Sequence, residues 1–291
     1  FPMGGDVESA PGIFKKIGKF FWGKKPVILA KPVAISVKNS NEFFVIDQAN
    51  GTILSYDKSK DRFVHLLKDL GKFPSLVGLC RLPNNLLAFT DSKLDKIYVI
   101  DIKRKTIREL NDELVLDQPT GITYSPSTGE IWVIETASHQ VTVLDLNGKR
   151  TGKFGQRGMG EGEFNYPTSI WVDENGFAYI VDAMNYRVQI FSPEKKFVAA
   201  FGSQGDATGY FARPKGIATD SQGNIYVVDV LFNVVQVFDR SGNLLYYFGG
   251  QGRGKGQFWM PAGLFIDEEN NIYVADSYNS RIQIFQVINN D

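Results

Sequence analysis

Short apolar runs alternate with polar turns along this chain in a pattern that returns six times. The clearest copies are YPTSIWVDENGFAYIVDAMNYRVQIF from Tyr166, RPKGIATDSQGNIYVVDVLFNVVQVF from Arg213 and MPAGLFIDEENNIYVADSYNSRIQIF from Met260. Each holds three runs rich in β-branched and aromatic residues, separated by clusters of Asn, Asp and Gly, as expected of antiparallel strands joined by tight turns. A fourth run follows in KFVAAFG, ending at Gly202, and in LLYYFG, ending at Gly249, and more weakly in RTGKFG, ending at Gly155. A Pro precedes the first run at Pro32, Pro74, Pro119, Pro167, Pro214 and Pro261, with spacings of 42, 45, 48, 47 and 47. An acid closes the second run 15 to 17 residues later, at Asp47, Asp91, Glu135, Asp182, Asp229 and Asp276.

Four strands every 42 to 48 residues is the period of a propeller blade and not of a helical solenoid. The pattern predicts an all-β chain folded as a six-bladed β-propeller of four-stranded antiparallel blades. The motifs P-x-G-[IL]-x-x-D, G-N-I-Y-V-x-D and N-x-R-[IV]-Q-[IV]-F closely resemble the NHL repeat, over about residues 28 to 285. That resemblance implies the same six-bladed fold. In units one to three the match is looser: Asp91 and Glu135 sit late and the Arg is missing.

The last unit runs out after its third strand at Phe285. Its outer strand is therefore expected from about residues 16 to 22, so that an N-terminal strand on the last blade closes the ring and removes two open sheet edges. The expected organisation is an N-terminal arm at 1–12, a single propeller at 13–287 and a short tail at 288–291.

The six repeated acids suggest a ring of ligands, but each precedes a turn such as DAMNYR or DSYNSR, where a carboxylate accepts turn N–H groups and pairs with Arg187 or Arg281. A structural role is expected for all six. The second and fourth positions after each Pro, taken to line the channel, include Gly121, Thr123, Ser169, Trp171, Gly216 and Phe265, and no His, Asp or Glu. A shift by one position adds Lys215 and Thr168, still without a carboxylate or imidazole. Six-bladed propellers include lactonases with channel carboxylates around calcium and, related to NHL repeats, an amidating lyase with channel histidines around zinc. Neither ligand set is visible here. His65 falls in the expected outer strand FVHLL and His139 in the turn TASHQ, where a surface position is expected. The Gly-rich stretches GQRGMGEGEF, GSQGDATGYF and GGQGRGKGQF return from an outer strand to the next inner one. They read as connectors and not as phosphate loops, which open a helix.

Composition narrows the function further. Lys plus Arg and Asp plus Glu are both 32, so no net field draws in nucleic acid or anionic lipid. The basic run around Lys15, Lys16 and Lys19 alternates with Phe14, Phe20 and Phe21 and reads as a guarded strand edge. A lone cysteine, Cys80, excludes an intrachain disulfide, and two histidines leave little for zinc. No apolar run reaches the roughly 18 residues of a membrane span. The chain opens on Phe1, which sets the expectation of a processed, extracellular or periplasmic product. The resulting expectation is a non-catalytic protein-interaction or self-assembly scaffold without a cofactor. Phe1, on the arm, and Trp171, Lys215 and Phe265, at the channel, are its candidate partner contacts. A channel-metal enzyme of lyase or lactonase type and a small-ligand or glycan-binding module are the alternatives.

Overall fold

The computed structural model describes residues 29–66, 72–111 and 113–286. Within them the chain forms six antiparallel sheets and only two short 3-10 turns, Ala183–Asn185 and Ser277–Asn279. No helix among the described residues is long and apolar enough to cross a membrane. Blades 1 to 5 have four strands each, paired in sequence order, and blade 6 has three among the described residues. The strand expected from residues 16–22, the arm at 1–12 with Phe1, and the tail at 288–291 lie outside the described residues.

The innermost strands are Pro32–Asn39, Leu76–Leu82, Pro119–Ser125, Pro167–Val172, Pro214–Thr219 and Leu264–Ile266. Second strands such as Ala178–Asp182 and Ile225–Asp229 are buried at every position. They read as unbroken apolar runs because neighbouring blades cover both their faces. Outer strands such as Phe197–Phe201 alternate between half-buried and exposed, since one side meets water. Between blades 3 and 4, Trp132 and Ile134 pack on Ile170 and Val172. Each such large side chain contributes about 2–3 kcal/mol by leaving water.

Register places the blade markers. Pro32 pairs with Asp47, Pro119 with Glu135, Pro167 with Asp182 and Pro214 with Asp229. In blade 2 the residue opposite Asp91 is Leu76, not Pro74. This corrects the blade 2 start, and the apparent lateness of Asp91 disappears. It also moves the blade 2 channel positions, so that Gly78 and Cys80 correspond to Gly121 and Thr123. Cys80 is buried between blades 2 and 3.

The glycine two positions into the inner strand has a steric cause. A Cβ on Gly78 would lie 2.2 Å from the Thr120 carbonyl oxygen of the next blade, and one on Gly263 would lie 2.6 Å from that of Val33. Inner strands converge at the axis, and only a missing side chain lets their backbones approach so closely. The contact from Gly263 to Val33 joins blade 6 to blade 1. Phe265, Tyr273 and Ala275 of blade 6 bury against Ile35, Phe43 and Tyr56 of blade 1 at the same seam. Ser277 Oγ there donates to the Pro32 carbonyl at 2.6 Å.

Candidate functional site

The six repeated acids lie at the ends of the second strands, and all are buried. Each reaches back to the backbone just ahead of its own inner strand. Asp47 accepts from the N–H groups of Ala30 and Lys31, Asp91 from Ser75, Glu135 from Asp117, Asp182 from Asn165, Asp229 from Ala212 and Asp276 from Trp259. Asp182 also pairs with Arg187 at 2.8 Å and Asp276 with Arg281 at 2.7 Å. Their oxygens are saturated by hydrogen bonds that fix each turn, which leaves little lone-pair capacity for a ligand.

The same turns hold the Gly-rich connectors. Arg281 donates to the carbonyls of Arg253, Gly254 and Gln257, and Gln283 bridges Gly256 N–H and the Gln257 carbonyl. Gln189 and Gln236 grip the two preceding connectors in the same way. His139 is a correction: it is buried, not on the surface. Its Nδ1 accepts from Tyr166 N–H at 3.0 Å, as Asp95 Oδ1 does from Gln118 and Asn233 Oδ1 from Met260. All three cap the residue just before the next inner-strand Pro. His65 lies in the outer strand Arg62–His65, with Nδ1 3.2 Å from Thr52 Oγ1. Among the described residues no three His, Cys, Asp or Glu side chains gather as a metal would require.

Concave space opens at the axis. A cavity of about 580 Å³ is lined by inner strands of all six blades. Trp171 and Phe265, both half-buried, meet there edge to face with ring centroids 5.1 Å apart, and Trp171 Nε1 donates to Thr219 Oγ1 at 2.9 Å. Lys215 lines the cavity beside the opening where inner strands begin. Burial inside the ring lowers its ammonium pKa to about 8, helped by Arg213 and Lys31 nearby. Around the opposite opening stand Asp173, Asp220, Asp267, Glu174, Glu268 and Glu269, against Lys38, Arg81 and Arg240. Phe1 lies outside the described residues, so three of the four candidate contacts, Trp171, Lys215 and Phe265, are brought together at the channel.

A feature that sequence reading missed surrounds the opening near Lys215. Two residues beyond each repeated acid, blades 1 to 3 carry Ala49, Lys93 and Ala137, whereas blades 4 to 6 carry Met184, Leu231 and Tyr278, each 53% exposed. Tyr166 and Trp259 extend the same rim, with the Trp259 and Tyr278 rings 5.9 Å apart. The Met184 and Tyr278 N–H groups bond to the carbonyls of Asn165 and Trp259, which places turn and connector side by side. Large apolar side chains thus form an exposed crescent over half of one disc face. The signal was present as a comparison of blades at one repeat position, but an exposed Leu or Tyr is indistinguishable from a core residue in one sequence.

The NHL repeat family model matches residues 258–285, and a family described as a 6-bladed beta-propeller matches residues 109–198. The chain is a six-bladed β-propeller that carries an NHL repeat at residues 258–285. Curated proteins give no match. Among solved structures the propeller is similar to virginiamycin B lyase from Staphylococcus aureus, with 15% identity, a TM-score of 0.62 and coverage of 90% of this chain and 86% of the lyase. It is also similar to an auxiliary nutrient binding protein from Bacteroides thetaiotaomicron, with 17% identity, a TM-score of 0.71 and coverage of 88% and 69% respectively. A chain of a nidogen/laminin complex aligns at 17% identity and a TM-score of 0.63, covering 84% of this chain and 86% of that one. At such identities the likeness is one of fold.

Proposed function

We propose that this propeller is a non-catalytic interaction module that docks a protein partner on the crescent of blades 4 to 6. The observation that carries this reading is the contrast at one repeat position: Met184, Leu231 and Tyr278 on one half of the face, Ala49, Lys93 and Ala137 on the other. Propeller folding needs no large apolar group there, because three blades do without one. A row of exposed large apolar side chains along one rim is the kind of surface that a partner covers. A non-catalytic role also agrees with the positions of the two histidines. A catalytically inactive histidine-to-alanine form of virginiamycin B lyase is among the similar structures, whereas His65 and His139 of this chain lie away from the channel, on an outer strand and in a cap.

The test is site-specific photocrosslinking in extracts of the source cells. A photoreactive phenylalanine at Met184 is expected to give a discrete protein adduct, and the same group at Ala49 none. An adduct of twice the propeller mass would identify a second copy as the partner. Equal labelling from both positions would defeat the reading.

A further inference from the structure

The channel holds a cation with no counterion among the described residues. Lys215 follows Pro214 on the inner strand of blade 5 and lines the axial cavity, yet it makes no hydrogen bond or ion pair with any described residue. Its charged neighbours are themselves cations, Arg213 and Lys31. Holding an ammonium half-buried beside two like charges is costly, and a core position with no task would favour an apolar residue. No equivalent position on another blade carries a charge: they hold Val33, Val77, Thr120, Thr168 and Ala262.

A second orphaned group stands beside it. Thr168 occupies the same register on the adjacent blade 4 and also lines the cavity. Its Oγ1 is one of two buried side-chain polar atoms without a partner among the described residues, the other being Trp132 Nε1 between blades. A turn about χ1 would carry this hydroxyl to another staggered position on a residue that borders the lumen. Three residues further along the inner strand, about 10 Å at the rise of a β-strand, sit Trp171 and, from blade 6, Phe265. Beyond them the lumen ends among Asp173, Asp220 and Asp267.

We propose that the axial channel binds an amphipathic monocarboxylate, its carboxylate on Lys215 and Thr168 and its apolar body against Trp171 and Phe265. One ammonium and one hydroxyl match two carboxylate oxygens, whereas a phosphate would call for more donors. The acids at the far opening set the orientation, since they repel a carboxylate placed there. The lowered pKa of Lys215 agrees with a cation awaiting its counterion. This site stands on the channel wall alone and is independent of the docking reading for the crescent.

Calorimetric titration with 4-phenylbutyrate and octanoate, each beside its uncharged primary amide, tests the proposal, with Trp171 fluorescence as a second readout. The expected result is saturable binding of the carboxylates, with the amides at least about tenfold weaker. Lys215→Met should abolish carboxylate binding while raising the melting temperature, which separates lost binding from lost folding. Lys215→Arg should retain binding, and Thr168→Val should weaken it several-fold. Equal affinity of acid and amide, undiminished binding by Lys215→Met, or no saturable binding of either acid at about 10 mM would overturn it.

Discussion

His139 and the repeated acids show how much a single cap carries. His139→Asn supplies the acceptor that Asn233 provides one joint further on. It is expected to leave stability within about 0.5 kcal/mol in urea unfolding, while His139→Ala costs about 1 kcal/mol by orphaning the Tyr166 N–H. Asp276→Ala should cost more, about 3 kcal/mol, because it strips the fully buried partner from Arg281 and from the Trp259 N–H together. Lys215 gives the opposite sign. Its pKa falls to about 8 in the folded chain from the 10.5 of a free lysine. The unfolded chain therefore binds the extra proton between those two values, and stability rises with pH across that window relative to Lys215→Met. Below about 8 both states are protonated, and the penalty is present in full. Denaturant titrations of both proteins at pH 7 and pH 10 measure it, and a constant difference between them would contradict the burial argument.

At the level of the element, the connectors explain which glycines matter. Gly202 has φ +98°, and a Cβ there would lie 2.4 Å from the Phe211 ring, whereas Gly162 has φ +73° with nothing within 4 Å. Gly162→Ala is expected to cost about 1 kcal/mol from backbone strain alone. Gly202→Ala adds the displacement of a fully buried ring and should cost at least twice that in the same unfolding assay. The strands and connectors of blades 3 to 6 were legible because Pro, acid and Gly mark each one at fixed intervals. Blade 2 was misplaced because Leu76 occupies the position that Pro fills in the other blades, so the nearest Pro drew the boundary. His139 was misjudged because its task is defined by Tyr166, 27 residues away, which only the blade-to-blade contact reveals. The pairing of Asp182 with Arg187 and of Asp276 with Arg281 was legible in their turn sequences, but the bonds from the acids to the backbone ahead of each inner strand, the crescent and the orphaned Thr168 hydroxyl needed exposure and distances that no sequence states.

For the whole molecule, the joint between blades 6 and 1 decides cooperativity. Every blade buries both faces against neighbours, so none gains from unfolding alone. Gly263→Val would force apart the backbones at that joint and is expected to lower the melting temperature in one transition, with tryptophan fluorescence and far-ultraviolet circular dichroism coinciding. Two separated transitions would show that blade 6 can detach. The two unlike ends of the lumen have a further consequence, which concerns speed more than affinity. A basic opening at Lys215 and a largely acidic one among Asp173, Asp220 and Asp267 give a disc with no net charge a polarity along its axis. An approaching anion is drawn to one side of the disc and turned away from the other before contact. Its capture rate should therefore fall as added salt shortens the reach of that field, while escape from the lumen hardly changes.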